Sequence, residues 1–342
     1  MAGSGDLVTG ALGFVGLHLV TSLLRDGRTV YGVGRHPAGT RPPERAGDFV
    51  PRDAEAGLTG AVRYEGPAGG FTYVPLALEQ AAPIRELLAR IRVGAVFHLA
   101  AQSSAGLSFR DPADTFVSNV QGTLNLLEAV RALPDTARPQ LLSIGSSEEY
   151  GPQPGERLLD EETPLNPISP YAVSKVAQSL LCRQYARSWG LPVVVARSFS
   201  HTGPGQDTRF AFPSFARQIA AAEAGRGPEE VVTGDLSAVR DFLDVRDVVA
   251  AYRLLVRRGE PGTIYNVCSG TALTIREGLE ILVRGARRPL TIRTDPARSR
   301  PSDTPRLVGD NTRLRRATGW QPECSIGGAL LGLLEEARRE FT

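Results

Sequence analysis

A chain of 342 residues with 42% hydrophobic content can bury one large core or two unequal ones without disulfide or metal staples. Its formal net charge of +2, from 39 Lys and Arg against 37 Asp and Glu, excludes a global field drawing it to nucleic acid or an anionic membrane. Three scattered cysteines, Cys182, Cys268 and Cys324, match neither a metal knuckle nor a disulfide framework, which fits a reducing cytoplasm.

The first residues run into a strand-like segment, Asp6 to Thr9, without a basic and apolar leader. No apolar run reaches the roughly 18 residues a membrane span requires, so we expect a protein neither exported nor embedded. Through the first 200 residues, short apolar runs bounded by glycine alternate with amphipathic stretches. That alternation predicts strands near 6–9, 29–34, 71–76, 94–99, 140–146 and 192–198, and helices near 14–26, 80–91, 113–132 and 168–189. The expected fold class is α/β: a doubly wound parallel sheet with a smaller C-terminal substrate-binding lobe. The dinucleotide-type domain is placed at 1–198, with the chain returning to it over about 239–265. The lobe takes 199–238 and 266–342, with helices near 211–224 and 326–340. Residues 36–70, rich in Pro, Gly and Arg, read as a loop insertion, although 61–64 could form a strand.

Directly after the first strand come Gly10, Gly13 and Gly16, with Phe14 and Val15 between the last two, and then helical periodicity. Three glycines in that context are the turn of a Rossmann dinucleotide site: one for the bend, one for backbone approach to a pyrophosphate, one for helix–sheet packing. The phosphates would rest on the helix N-terminus. The second strand ends in Gly34, Arg35 and His36, where a carboxylate would meet a ribose 2'-hydroxyl. A guanidinium there suits a 2'-phosphate, so Arg35 favours NADP(H) over NAD(H).

Lys175 is the only lysine in the chain, every other basic residue of the combined count being arginine, and it follows Tyr171 by four positions at the start of a helix. An ammonium beside a phenol is expected to draw the phenol's pKa down from about 10 toward a range useful for proton transfer. The end of the 140–146 strand carries Ser146, Ser147 and Glu148, at the carboxyl edge where such sheets bind ligands. Ser146 could hydrogen-bond a substrate oxygen and Glu148 could act as a base or acid; equally, the serines could cap the turn and Glu148 could face water. His18, His36, His98 and His201 have no metal-ligand spacing, and a serine-nucleophile elbow is absent.

With these residues in view the chain resembles the extended short-chain dehydrogenase/reductases that modify nucleotide sugars, over nearly its full length. The resemblance rests on Gly10 to Gly16, His98-Leu99-Ala100-Ala101, Asn119 to Thr123, and Tyr171 with Lys175. Within that group it is most similar to the GDP-4-keto-6-deoxy-D-mannose reductases and GDP-mannose 4,6-dehydratases, through IGSSEEYG at 144–151, GPGQ at 203–206, AVRDFLDVRD at 238–247, YNVCSG at 265–270 and RPSD at 300–303.

The resemblance implies that Leu78, Leu99, Ala100 and Ala101 line the cofactor, and that Asn119 holds Lys175 through a water. It further implies that Ser146 orients the sugar oxygen, Tyr171 exchanges its proton and Lys175 grips the nicotinamide ribose. Ser147, Glu148 and Ser200 would meet substrate, Arg240 and Arg300 its diphosphate, and Asp303 its ribose. The family's acidic residue after the third strand falls here at Ala77, its Asn before His201 is Ser200, and an Asn near the base pocket is Asp235. The expected activity is NADPH-dependent reduction of the C4 ketone of GDP-4-keto-6-deoxy-D-mannose to GDP-D-rhamnose. A 4,6-dehydratase, a bifunctional enzyme, an epimerase on another nucleotide sugar and a non-catalytic NADP-binding scaffold are the rivals. The helices near 113–132 and 168–189 are expected to pair across a twofold axis as a four-helix-bundle homodimer.

Overall fold

The computed structural model describes residues 5–37, 39–40, 49–54, 58–298 and 304–342. In chain order the first half runs β1 (Gly5–Thr9), α1 (Phe14–Arg25), β2 (Val30–Gly34), β3 (Val50–Ala54), β4 (Val62–Gly66), β5 (Gly69–Pro75), α2 (Ala81–Arg90) and β6 (Val93–His98). It continues with α3 (Ala105–Ser108), α4 (Pro112–Phe116), α5 (Gly122–Arg131), β7 (Gln140–Ser146), α6 (Pro170–Trp189) and β8 (Val193–Ser198). Every residue of β1 and β8 is buried, as strands covered by helices on both faces must be.

The main sheet has nine strands in the order Ile264–Val267, β8, β7, β6, β1, β2, β5, β4, β3. It is parallel from Ile264–Val267 through β5, and the crossover from β2 out to β5 and from β1 back to β6 leaves a switch point at the carboxyl ends of β1 and β6. α1 packs one face with Leu17, Leu19 and Val20, joined by Leu255 of α8 (Val245–Arg258). On the other face α2, α5 and α6 contribute Leu87, Leu126, Leu127 and Tyr185.

After β8 the chain leaves the sheet for α7 (Ala211–Glu223), comes back through α8 and Ile264–Val267, and leaves again for α9 (Ile275–Arg284), α10 (Thr312–Thr318) and α11 (Ile326–Arg339). Phe212, Phe215 and Ile219 of α7, Leu279 and Leu282 of α9, and Leu330 and Leu333 of α11 form a separate core. A parallel pair, Glu230–Thr233 with Thr291–Thr294, flanks it.

The 36–70 segment is corrected by the structure. It carries β3 and β4, which extend the sheet antiparallel beyond β5. The cause is an aromatic cluster under this edge: the Phe49 and Tyr64 rings lie 5.2 and 5.3 Å from that of Phe71. Tyr64, Phe71 and Tyr73 are wholly buried. Arg63 and Glu65 alternate with Tyr64 and pair with each other on the half-buried face, so the apolar period spans too few residues to stand out. Residues 38, 41–48 and 55–57 of the segment lie outside the described residues.

The helix expected over 113–132 is present as an unbroken helical run over 112–131. Residues Val117–Gln121 form a π-helical turn between α4 and α5. Such an inserted turn re-aims side chains, and here it carries Asn119.

Candidate active site

The carboxyl ends of β1, β2, β6 and β7 open into a cavity of about 1590 Å³ that extends between the sheet and the α7–α9 lobe. At its floor is the glycine turn. Gly10 has φ +70°, and a Cβ there would lie 3.0 Å from the Ala100 amide nitrogen; a Cβ on Gly16 would lie 2.1 Å from the Gly10 carbonyl oxygen. Only hydrogen at these two positions lets α1 start this close to β1 and β6. Gly13 caps α1 without a side-chain hydrogen bond, and Gly13, Phe14, Val15 and Gly16 line the cavity. The first amides of α1 and the positive end of its dipole therefore serve an anionic group. These residues fit the pyrophosphate of a dinucleotide.

Farther along, Leu78, Leu99, Ala100 and Ala101 line the same wall. The Leu78 carbonyl is held by Asn125 Nδ2 at 2.8 Å, and the Ala100 amide donates to Thr9 Oγ1 at 3.0 Å. Thr9 Oγ1 also meets His98 Nδ1, whose Nε2 meets Thr123. Burial pushes the His98 imidazole down to about 3, so it is a neutral tie between β1, β6 and α5.

Arg35 reaches the cavity at the end of β2 and approaches Glu79 at 3.4 Å and Asp114 at 3.8 Å. Both contacts are long for a guanidinium–carboxylate pair, so its fork is only partly committed. Glu79, which the sequence reading did not single out, also lines the cavity, two residues after Ala77, with a buried Oε2 that has no hydrogen-bond partner.

The proton-transfer group sits where β7 meets α6. Ser169 caps α6 by accepting from the Ala172 amide at 3.0 Å, and Pro170 opens its first turn. This start aims Tyr171 and Lys175 into one cavity with Ser146, Ser147 and Glu148. Ser146 caps the turn Ser147–Tyr150, its Oγ accepting from the Glu148 amide at 3.2 Å. Capping and substrate binding are thus compatible, because the same hydroxyl keeps its proton to donate.

The electrostatics differ from the expectation that Lys175 acidifies Tyr171. Burial first, and the Glu148 charge second, push the Tyr171 phenol above its ordinary value, while the Ser146 hydroxyl pulls it down. Lys175 Nζ lies 5.9 Å from the Tyr171 ring centroid and donates to the Ile144 carbonyl and to Gln178 Oε1, each at 2.9 Å. The amine is tethered to β7 and its own helix instead of to the phenol. Burial lowers Lys175 to about 8, with Glu149 the foremost opposing charge.

Asn119 lies between the loop after β6 and α6. Its Oδ1 accepts from the Gln102 amide at 2.7 Å, and its Nδ2 donates to the Gln102 carbonyl at 3.1 Å and to Ser174 Oγ at 2.9 Å. Its side chain is a strut that braces α6, the helix bearing Lys175, through Ser174.

On the lobe side, Ser200 and Arg240 line the cavity, and Arg240 Nη1 donates to the Val239 carbonyl at 2.9 Å. Arg300 and Asp303 lie outside the described residues. Two further guanidiniums, unremarked in the sequence among so many arginines, line the cavity: Arg209, paired with Asp207 at 2.9 Å, and Arg298, donating to the Val232 carbonyl at 3.0 Å. Asp235 lines the same end. Among the described residues no group of His, Cys, Asp and Glu could hold a metal ion.

Comparison with known proteins agrees with this geometry. The sequence model of a family described as GDP-mannose 4,6 dehydratase matches residues 7–330. A GDP-6-deoxy-D-mannose reductase of Pseudomonas aeruginosa is 44% identical over 244 residues, 71% of this chain and 79% of that protein. A UDP-glucose 4-epimerase of Mycolicibacterium smegmatis is 32% identical over 337 residues, 98% of each. The solved structure of RMD from Pseudomonas aeruginosa complexed with NADPH superposes with a TM-score of 0.77 at 34% identity, covering 98% of this chain and 100% of that one.

Proposed function

Because the chain belongs to the GDP-mannose 4,6-dehydratase family of extended short-chain dehydrogenase/reductases, we propose that it reduces the C4 ketone of GDP-4-keto-6-deoxy-D-mannose to GDP-D-rhamnose with NADPH. The observation that carries this reading is the gathering of Ser146, Tyr171 and Lys175 in one cavity with the glycine turn, in a chain 44% identical over 244 residues to a GDP-6-deoxy-D-mannose reductase. Tyr171 is protonated at physiological pH, and burial reinforces that state, so it can serve as the proton donor a ketone reduction needs.

When bound, NADPH supplies the hydride that arrives at C4. Tyr171 Oη gives its proton to the oxygen that becomes the C4 hydroxyl, and Ser146 donates a hydrogen bond to the same oxygen as negative charge develops there. Lys175, with two of its three donors taken by Ile144 and Gln178, has one left for the nicotinamide ribose. The glycine turn and α1 take the pyrophosphate, and Arg35 takes the 2'-phosphate. Arg240, Arg209 and Arg298 supply positive charge for the substrate diphosphate, with Arg300 and Asp303 as further candidates on the sequence reading.

The second reading, a 4,6-dehydratase or bifunctional enzyme, draws on Glu148, which is half-buried, lines the cavity and acts electrostatically on Tyr171. The two separate in one assay. With the 4-keto sugar the protein is expected to consume NADPH and give GDP-D-rhamnose by mass spectrometry. With GDP-mannose and no added cofactor it is expected to give nothing; accumulation of a keto sugar in that arm would replace the reductase reading by the dehydratase.

The protein we propose is a cytoplasmic homodimer; among the described residues no helix is long and apolar enough to cross a membrane. Phe116 and Val117, and Val173, Leu180 and Trp189 of α6, are large, apolar and exposed. A second copy of the same two helices would cover them in a four-helix bundle. Light scattering at micromolar concentration is expected to give twice the chain mass for the parent and the chain mass for Leu180→Arg; a monomeric parent refutes the dimer.

A further inference from the structure

Behind the catalytic strand lies a buried ion pair that the chemistry above does not use. Glu149 and Arg197 are 0% and 1% exposed. Arg197 donates from Nε and Nη2 to Glu149 Oε2 at 3.1 and 2.9 Å. Glu149 Oε1 accepts from the Ser146 amide at 2.8 Å and from Ser179 Oγ at 3.1 Å. Gly145 makes the approach possible, since a Cβ there would lie 2.5 Å from Oε1. The guanidinium also stacks 4.6 Å from the Tyr150 ring centroid. Desolvating such a pair costs about as much as its attraction returns, and apolar residues of the same volume would join β7 to β8 at least as stably. The pair therefore calls for a role other than cohesion: it touches the Ser146 amide directly, and reaches the surroundings of Lys175 through Ser179, one turn farther along α6, and Gly145, next to the Ile144 carbonyl that holds the amine.

We propose that Glu149 is a positioning residue for the active site: its carboxylate fixes the Ser146 backbone and supplies the buried negative charge that keeps Lys175 an ammonium, while Arg197 holds that carboxylate ionised. Four donors fill both carboxylate oxygens, an arrangement that suits the ionised form. Burial raises the Glu149 carboxyl, and Arg197 is the foremost influence against that rise.

The ionisable groups facing Lys175 are few. Cys182 from α6 has a thiol that burial pushes up to about 11, so it is neutral; His98 from β6 is neutral; Tyr171 is neutral. Asn119 and Gln178 carry no charge. Glu149, from the turn after β7, is left as the anion that opposes the burial of the ammonium. The kinetic consequence rests on the ketoreductase reading; the charge coupling does not.

Because Lys175 is the chain's only lysine, growth on lysine labelled with carbon-13 at Cε gives a single side-chain resonance whose pH titration reads this one amine. In the parent its midpoint is expected near 8. The test variant is Glu149→Gln with Arg197→Gln, which removes both charges and lets one amide donate to the other across the former Nε contact. Its lysine midpoint is expected to fall by about one pH unit, and the alkaline limb of kcat to move down with it while KM changes little. Coincident lysine midpoints overturn the proposal. Should the double variant not fold, Glu149→Asp, which withdraws the carboxylate by one methylene, is read in the same way, and an unmoved midpoint there overturns it too. A midpoint that falls in a protein whose parent turns over no ketone leaves the coupling standing and removes the ketoreductase reading.

Discussion

Tyr171→Phe is expected to lower kcat by a factor of about 10²–10⁴, the usual contribution of a positioned general acid, while NADPH affinity stays within about twofold. The substitution removes one oxygen and keeps the ring, which is 8% exposed and packed at the start of α6. The hydroxyl is the only part of Tyr171 assigned to the substrate oxygen, and the cofactor is held elsewhere, by the glycine turn, α1 and Lys175. The pH dependence has a definite sign. Tyr171 is raised by burial, so it stays protonated and contributes no limb at neutral pH. Lys175 is lowered to about 8, so its ammonium is present below that pH and is lost above it. Parent activity should therefore be level to about pH 8 and decline beyond. Stopped-flow NADPH oxidation and fluorescence titration of NADPH measure the two quantities, and near-normal turnover by Tyr171→Phe removes this residue from the chemistry.

Arg197→Met alone is expected to destabilise the protein by about 3–5 kcal/mol, because it strands the Glu149 carboxylate without its counter-charge in the interior. The Ser146 amide and Ser179 hydroxyl remain as donors, but neither is charged. The deficit should depend on pH. Burial raises Glu149, and removing Arg197, the main influence against that rise, raises it further. A carboxyl whose folded pKa lies above its unfolded value takes up a proton on folding, so stability is greater at low pH and lost as pH rises through that range. Urea unfolding should accordingly show a smaller deficit at about pH 5 than at about pH 8. The double variant Glu149→Gln with Arg197→Gln should recover much of the loss. An Arg197→Met protein as stable as the parent at both pH values would mean that the pair is not coupled as its geometry indicates.

These two experiments probe different properties of neighbouring residues. Tyr171 acts on substrate, and its loss leaves the fold intact. Arg197 touches neither ligand, and its loss reaches the active site through Glu149 and the backbone of Ser146. Separating kcat from stability in this way distinguishes proton donation from the scaffold that aims it.

The local chemistry was legible in the amino-acid order. Gly10, Gly13 and Gly16 announce the turn because the demand they answer, a chain folded against its own carbonyl, is satisfied within seven residues. Tyr171 and Lys175 share a helix face because they are one turn apart, and the parallel sheet follows from buried apolar strands alternating with amphipathic helices. What the sequence could not determine depends on groups far apart in the chain. The edge strands β3 and β4 exist because Phe49, Tyr64 and Phe71 meet, and their local pattern is too short and too interrupted by charge to announce it. Asn119 came to brace the Gln102 backbone and Ser174, and Arg35 came to face Glu79 and Asp114, through contacts that span many residues. The protonation states were decided last of all. Desolvation is a property of everything packed around a group, so only the folded chain could raise the Tyr171 phenol and lower the Lys175 amine, and bring Arg197 of β8 to the Glu149 carboxylate under the Ser146 backbone.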